Sequence, residues 1–407
     1  MPRSRLIAAL VLLCFVGPLS TDMYLPAFPR MAAELRTDAS GVQLTLTAFL
    51  VGMTVGHLVF GPLSDRYGRR GPLLVGAGVC AVATGLCAVA PELGGLAVLR
   101  FAAGFGGAAG VVIGRAVVSD VTEGAAAARL FGILMTLAGT APVLAPLAGG
   151  AVIGAGGAGW RGVFWVLAGV ALLVVVAVVV AVPESLPVSR RRTGGGRELL
   201  RSVRDVAGDR AYVGYSLAFT FAFGALFCYI AGAPFLLQNV LGLSVGVSSA
   251  YFACGAVFMA LSSASGARLA GRIAPERLLS AGLYAMLAGT AALLGIAVAD
   301  ALTVAVYLPL MALVCGGLGL VTGNASSLAI ARVPDAAGTG SALLGTAQSA
   351  LGALVAPLVG LGGADAVVPV FGGMAVCGGL AVLAGRTASR ARGITWTAQA
   401  PRETGPR

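Results

Sequence analysis

Apolar stretches about 20 residues long recur along the whole sequence, and this limits what the chain can fold into. A helix of about 20 apolar residues spans the hydrocarbon core of a bilayer. Such uninterrupted runs are not typical of an outer-membrane barrel, whose strands alternate apolar and polar residues over about ten positions. Hydrophobic residues make up 58% of the 407 residues and charged residues only 11%, which is far from the average of soluble domains. The sequence therefore predicts an all-α integral membrane protein.

Twelve transmembrane helices are expected. The first apolar run lacks a small-residue cleavage site and is followed by further spans, so it is interpreted as a span and not as a signal peptide. The predicted spans are 5–28, 41–63, 71–90, 95–117, 129–153, 162–182, 211–237, 245–267, 277–299, 301–325, 336–361 and 364–385.

One long polar segment, Pro183–Arg210, divides the spans into two sets of six. We therefore expect an N-terminal six-helix bundle (1–182), an arginine-rich linker (183–210), a C-terminal six-helix bundle (211–385) and a tail (386–407). A faint repeat, "GPLSDRYGRR" after span 2 and "GARLAGRIAPER" after span 8, supports two related halves. Repeats of this kind are characteristic of secondary transporters, whose binding site lies between the halves. The linker is expected to be flexible, with room for a short surface helix.

The arginines indicate the orientation. All 27 basic residues are arginine, against 16 acidic residues, which gives a net charge of +11. Arginine-rich and arginine-poor loops alternate along the predicted topology, so nearly all loop arginines fall on one side of the membrane. Only Arg30, Arg36 and Arg161 fall in the loops of the opposite side. The positive-inside rule then predicts that both termini lie in the cytoplasm. The absence of lysine and the abundance of alanine and glycine are typical of a high-GC bacterial genome, so we expect a bacterial plasma-membrane protein. Because the arginines lie in short loops and not on one soluble face, nucleic-acid binding is not expected.

Asp22 is the candidate for proton coupling. It lies near the end of the first apolar run, in "PLSTDMYLPAFP", where a carboxyl group costs about 2.5–3.5 kcal/mol to insert. Burial disfavours the charged form, so Asp22 could load and release a proton. The alternative is a shallow residue at a helix end, because Tyr24, Pro26 and Pro29 follow closely.

Three further ionisable side chains fall inside predicted spans. Arg100 lies about five residues into span 4 and could pair with Asp22. Arg115, near the inner end of the same span, either has a functional role or extends to the cytoplasmic membrane surface. His57, the single histidine, is either a second proton site or a polar residue at a helix contact.

The loop "GPLSDRYGRRGPL", Gly61–Leu73, and the span 5 stretch "GTAPVLAPLAGG" combine residues with definite backbone consequences. In the loop, Gly61 and Gly68 permit tight turns and close helix approach. Asp65 can pair with an arginine or with a helix N-terminus. The loop's basic residues are Arg66, Arg69 and Arg70.

In span 5, Pro142 and Pro146 are expected to bend the helix. Gly149 and Gly150 are expected to admit another helix at close range.

The sequence resembles the Bcr/CflA group of drug:proton antiporters of the major facilitator superfamily. "STDMYLPAFP" is similar to its first-span signature and the Gly61–Leu73 loop to the superfamily's loop between spans 2 and 3. Similar stretches include "GRAVVSDV", "WRGVFW", "PESLP", "YIAGAPFLLQNVLGLS" and "PDAAGTGSALLGTAQSALGAL".

This resemblance implies the major facilitator fold, a cytoplasmic latch made by the loop between spans 2 and 3, proton transfer through Arg100, and an antiporter motif in span 5. The sequence departs from the group's pattern at Ala103, at His57, and at Ala141 and Ala145, where the motifs have glutamine, glutamine and glycines, respectively.

Polar and aromatic residues within the spans are candidates for a substrate cavity: Tyr24, Gln43, Phe223, Phe227, Tyr229, Gln238, Asn324 and Gln348. We expect a monomeric, proton-driven exporter of small, partly apolar compounds such as antibiotics, with no cofactor and no metal. An exporter or proton-coupled importer of one cellular metabolite is the alternative on the same fold. The sequence contains no recognised catalytic motif and no ATP-binding motif, so neither an enzyme nor direct ATP use is expected.

Overall fold

A computed structural model describes residues 3–121, 140–157, 159–191, 196–269, 272–360, 362–363 and 367–392. Within these ranges, eleven helices are long and apolar enough to cross a membrane, and the apolar helix Ala141–Gly154 is shorter. The predicted all-helical membrane architecture is therefore confirmed. Of the predicted fifth span, 129–153, only the part from residue 140 onward lies within the described residues.

The helices of the first half are α1 (Arg3–Asp22), α2 (Phe28–Glu34), α3 (Ala39–Tyr67), α4 (Arg70–Cys87), α5 (Leu93–Val121), α6 (Ala141–Gly154) and α7 (Gly159–Ala181). A helix α8 (Gly196–Gly208) lies in the connecting segment. The helices of the second half are α9 (Arg210–Phe235), α10 (Val245–Leu269), α11 (Pro275–Val298), α12 (Val304–Ala331), α13 (Ala337–Gly360) and α14 (Val367–Arg392).

Several boundaries differ from the sequence-based ones. The first span is broken after Asp22 by a 3₁₀ turn, Leu25–Ala27, before α2 continues to Glu34. Helix α14 runs to Arg392, seven residues past the predicted end of the last span at 385. Helix α8 is the short helix expected in the linker, and it packs against α9 and α13 through the buried Val206.

Two helix N-termini are capped by aspartates that the sequence places just before apolar runs. Asp38 Oδ1 accepts a hydrogen bond from the backbone N–H of Gly41 at 2.8 Å, at the start of α3. Asp209 Oδ1 accepts one from Tyr212 N at 2.7 Å, at the start of α9. Such caps satisfy N–H groups that have no partner within the helix.

Helices α3 and α5 pack backbone to backbone. A Cβ atom added at Gly52 of α3 would clash with the carbonyl oxygen of Phe101, and one added at Gly104 of α5 would clash with that of Phe49. Glycines at these positions therefore let the two helices approach to contact distance, as small residues do between membrane helices. This close approach brings Phe49 against the buried part of α5.

The two halves of the chain join at the end that carries the turn after Asp22, which we call the arginine-poor end. Gln43 Nε2 donates to Ala231 O at 2.9 Å, and Gln238 Nε2 donates to Pro26 O at 2.9 Å. The rings of Phe28 and Phe235 lie 6.3 Å apart. Each contact links a first-half residue to a second-half residue, so this end is closed.

The opposite end carries the Tyr67–Arg70 turn, the segment 182–191 and the C-terminus of α14, and we call it the arginine-rich end. Among the described residues, the side-chain hydrogen bonds and ion pairs at this end do not join one half to the other. Arg69 pairs with Asp65 and Asp120 in the first half. Arg332 pairs with Asp209 at 2.9 Å in the second half. The polar contacts that join the halves therefore concentrate at the arginine-poor end.

Candidate functional site

Asp22 is the last residue of α1 and lies beside a closely packed turn. The residues that follow it, Met23 to Phe28, are buried. Asp22 itself is half-buried, and its carboxyl group has no hydrogen bond or ion pair among the described parts of the chain. Asp22 therefore ends a helix, as the alternative interpretation expected, but the same apolar span continues through α2, and its role in proton coupling stays a prediction.

Arg100 of α5 is fully buried, with 0% of its surface exposed. Its Nη2 donates to the backbone oxygen of Ser20 at 2.8 Å, two residues before Asp22. Its guanidinium carbon lies 4.2 Å from the ring centre of Phe49, 4.3 Å from that of Tyr24 and 5.7 Å from that of Phe164. Cation–π contacts of this kind stabilise a desolvated guanidinium.

The Arg100 cation is incompletely satisfied. Within the described residues, its Nε and Nη1 atoms have no hydrogen-bond partner, and it forms no ion pair with Asp22. The pairing of Arg100 with Asp22 that the sequence allowed is thus not made in this structure. A buried guanidinium and a separate unpaired carboxyl group, joined through the Ser20 backbone, form the centre of the candidate site.

Helix α6 touches this centre through two adjacent glycines. A Cβ atom at Gly149 would clash with the carbonyl oxygen of Met23, the residue after Asp22. A Cβ atom at Gly150 would clash with Ser249 of α10, in the second half. The close approach expected of Gly149 and Gly150 is therefore present, and it links the Asp22 turn to the other half of the molecule.

The two prolines of α6 lie at different positions in the helix. Pro146 lies inside the helix, and Pro142 lies in its first described turn. The residues immediately before 140 are not among those described, so the helix bend expected at the two prolines stays a prediction.

His57 lies apart from the Asp22 centre. Tyr24, next to that centre, reaches Thr45 of α3, with 3.3 Å between the two hydroxyl oxygens. His57 lies twelve residues further along α3, about 18 Å at 1.5 Å per residue. Both of its ring nitrogens are buried without a hydrogen-bond partner among the described residues. The charge of Arg115 interacts electrostatically with the His57 ring.

The loop after α3 forms a charge cluster at the arginine-rich end. Arg69 lies between Asp65, with Nη1 2.5 Å from Oδ1, and Asp120, with Nε 3.0 Å from Oδ2. Its Nη1 also donates to Ser64 Oγ at 2.8 Å. Burial disfavours the charged guanidinium, but the two carboxylates outweigh it and raise the pKa of Arg69. Arg66 is exposed and lies over the ring of Tyr67.

Glu184 completes this cluster and caps α4. Its carboxylate accepts from the backbone N–H groups of Arg69 at 2.8 Å, Arg70 at 3.3 Å and Leu186 at 3.0 Å. Partial burial opposes ionisation, yet these N–H groups, with the charge of Arg191, hold the pKa of Glu184 below its usual value. The cluster joins the first half to the start of the linker and includes no residue of the second half.

The two glycines of the loop have different roles. Gly68 has φ +96°, and a Cβ atom there would clash with the Glu184 carboxylate. A Cβ atom at Gly61 would make only an ordinary contact, 3.8 Å from a Val112 methyl carbon. The expected tight turn or close approach is therefore found at Gly68 and is wrong for Gly61.

Asp120 and Glu184 were not identified from the sequence as partners of the loop. They lie 51 and 115 residues from Arg69, so no local spacing connects them. The available signal was an acidic residue at the end of a span in "GRAVVSDV" and in "PESLP".

The eight predicted cavity residues make contacts of several kinds. Gln43 and Gln238 bond across the joint between the halves, and Tyr24 lies against Arg100. Phe227 and Tyr229 are buried in the second half, where Tyr229 packs on Phe252 with ring centres 5.2 Å apart. The remaining members, Phe223, Asn324 and Gln348, are half-buried.

Comparisons with known proteins agree with the fold. The family model described as Major Facilitator Superfamily matches residues 10–357. An uncharacterized MFS-type transporter, YdgK of Bacillus subtilis, is 35% identical over 90% of this chain and 91% of its own. A bicyclomycin resistance protein homolog of Haemophilus influenzae is 28% identical over 93% and 94% of the two chains. The solved structure of a bacterial homolog of the human lysosomal transporter Spinster superposes with a TM-score of 0.77 over 96% of this chain and 98% of its own, at 18% identity.

Proposed function

The chain belongs to the Major Facilitator Superfamily, and from that premise we propose that it is a drug:proton antiporter, which exports small, partly apolar compounds such as antibiotics by alternating access. The bicyclomycin resistance protein homolog among its relatives supports an antibiotic as substrate. Protonation of Asp22 from outside favours substrate release, and deprotonation toward the inside resets the site.

The observation that carries this proposal is the unpaired Asp22 beside the buried Arg100. Arg100 is anchored to the Ser20 backbone, so a proton leaving Asp22 changes the net charge next to a cation that has no carboxylate partner among the described residues. In a poorly solvated site, such a change has a large electrostatic effect. Because Gly149 and Gly150 pack against the Asp22 turn and against α10, this change acts where the two halves join.

The contacts between the halves support a state that is closed at the arginine-poor end. By the positive-inside rule, the arginine-rich end is cytoplasmic, so this state opens inward. The Asp65–Arg69 pair stays within the first half here. In the outward-open state, we expect the loop to engage the second half as a latch. The protein acts as a monomer in the plasma membrane, with its two six-helix bundles at 1–182 and 211–385.

One proton suffices energetically. A membrane potential of 100 mV contributes about 2.3 kcal/mol per charge, and one pH unit contributes about 1.4 kcal/mol. Their sum, about 3.7 kcal/mol, supports a concentration ratio of about 500 for a neutral substrate.

The test is proton release on substrate addition. Purified protein in weakly buffered detergent is mixed with a panel of antibiotics that includes bicyclomycin- and chloramphenicol-like compounds, and the pH is followed. We expect release by the native protein and none by Asp22→Asn. Release that persists in Asp22→Asn would assign the proton to another group, such as His57. Binding without any release would contradict proton antiport.

A further inference from the structure

A cleft opens between α11 and α14 at the arginine-rich end. Its volume is about 340 Å³, and its floor is made by Leu279, Leu283 and Val382, all of which are buried. Arg386 and Arg390 of α14 lie at its rim, across from Tyr284 of α11. The cleft thus combines an apolar floor with a strongly basic edge.

The arginines lie on the lipid-facing side of α14. Val376, Leu380 and Leu383 are exposed along one face of this helix, with Val376 63% exposed. At spacings of three and four residues, the same face continues to Arg386 and Arg390, both of which are exposed. The guanidinium groups therefore lie where the apolar surface of the helix ends, the depth of a phospholipid headgroup.

The charge of the cleft is uncompensated. Arg386 Nε donates to the Tyr284 hydroxyl at 3.0 Å, and its two terminal nitrogens have no hydrogen-bond partner among the described residues. No hydrogen bond or ion pair is found for Arg390 within the described ranges, and none of the nine residues that line the cleft is acidic. Arg386 and Arg390 are also four residues apart, a spacing at which like charges destabilise a helix.

The remaining polar groups of the lining have short local hydrogen bonds. Ser280 Oγ donates to Glu276 O at 2.8 Å, and Ser389 Oγ donates to Gly385 O at 3.0 Å. Each hydroxyl oxygen can still accept a hydrogen bond, for instance from a glycerol hydroxyl. The Tyr284 hydroxyl, which accepts from Arg386, retains its own proton to donate to an anion.

We propose that this cleft binds the headgroup of one anionic phospholipid. Its phosphate accepts hydrogen bonds from Arg386, Arg390 and the Tyr284 hydroxyl, and its acyl chains lie along the exposed Leu380 and Leu383 face. The apolar floor and the neighbouring lipid-facing surface favour a lipid over a soluble anion. A basic pocket between transmembrane helices at the cytoplasmic side is the arrangement that recognises such headgroups.

Native mass spectrometry of the full chain tests this proposal. Protein in detergent is titrated with phosphatidylglycerol or with phosphatidylcholine of the same acyl chains. We expect one retained phosphatidylglycerol and no comparable phosphatidylcholine adduct. In Arg386→Gln/Arg390→Gln, the affinity should fall about 30-fold, since each arginine near an anionic lipid surface contributes about 1 kcal/mol. Arg386→Lys/Arg390→Lys should retain most of the binding.

The matched control is Arg201→Gln/Arg204→Gln, which removes the same charge from exposed positions of α8. An equal loss in this control would overturn the proposal, because it would show binding through net charge alone. Equal retention of phosphatidylcholine would also overturn it. Displacement of the lipid by millimolar inorganic phosphate would assign the cleft to a soluble anion instead.

Discussion

Arg100 is a buried cation with no carboxylate partner in the described part of the chain, and this predicts separate effects on stability and transport. Arg100→Met keeps an unbranched side chain of moderate length against Phe49 and Tyr24 and removes an incompletely satisfied charge, whose burial costs several kcal/mol. We expect a melting temperature equal to or above that of the native protein, with substrate-dependent proton exchange reduced at least tenfold. Thermal unfolding and proton release on the same preparation measure both effects.

Two variants make this prediction specific. Arg100→Lys keeps the charge but loses the planar stacking on Phe49 and Tyr24, so it should not restore full exchange. Arg36→Met removes an exposed arginine at the same end and should change neither quantity. A marked fall in the melting temperature of Arg100→Met would mean that Arg100 has mainly a structural role.

The Glu184 carboxylate predicts how the stability of the folded protein depends on pH. Its pKa is held below the usual value, so its contribution to stability is fully present above the unfolded pKa and is lost as the pH falls through the folded one. Glu184→Gln should therefore destabilise the protein by about 1 kcal/mol at pH 7. This is less than the roughly 1.5–3 kcal/mol typical of hydrogen bonds to a charged group, because a third of the side chain is exposed to solvent. The difference should shrink below pH 4.

Melting curves of both proteins from pH 7 to pH 3.5 measure this effect. Glu92→Gln, at an exposed glutamate of the arginine-poor end, is the control. A destabilisation by Glu184→Gln that stays constant over this range would show that its carboxylate charge is not responsible.

At the scale of single elements, helix α6 depends on the absence of a side chain at Gly149. Gly149→Ala places a methyl group against the carbonyl oxygen of Met23, and backbone cannot yield as a flexible side chain can. We expect a loss of about 1–3 kcal/mol in stability and weaker proton exchange, because the Asp22 turn is displaced. Gly154→Ala, in the same helix with nothing within 4 Å, should be neutral in both assays. Equal effects of the two substitutions would contradict the close packing.

The helices also show which structural features can be predicted from local sequence. The helix break after Asp22 was foreseeable because Tyr24, Pro26 and Pro29 act on their own backbone. The pairing of Asp65 with an arginine was foreseeable from the loop itself. The other two partners of Arg69 were not, because Asp120 and Glu184 meet it only through the packing of separate segments. The same reason explains Gln43: its polar side chain inside a span suggested a cavity, but the structure uses it to bond the two halves.

At the scale of the whole molecule, the Gln43–Ala231 hydrogen bond can be used to test alternating access, because it joins the two halves at the closed end. Ser249 is 1% exposed there, and its Oγ lies beside Gly150 of the other half. In the outward-open state this contact must separate. A thiol at this position, introduced by Ser249→Cys, should react slowly with a membrane-impermeant maleimide applied from the arginine-poor side. Adding Gln43→Ala removes the hydrogen bond to Ala231, worth about 1 kcal/mol, and should raise the labelling rate about fivefold.

The reaction is followed in vesicles of known orientation, and the unsubstituted chain gives the background from native cysteines. Thr54→Ala is the matched control. It also removes a hydrogen-bonding side chain from α3, but the Thr54 hydroxyl donates to Leu50 O within α3 and not to the other half, so the rate should stay unchanged. If Gln43→Ala leaves the rate at Ser249→Cys unaltered while the protein still exchanges protons for substrate, the Gln43 bond does not hold the arginine-poor end closed. The barrier between the two states would then reside in the packing of Gly149 and Gly150.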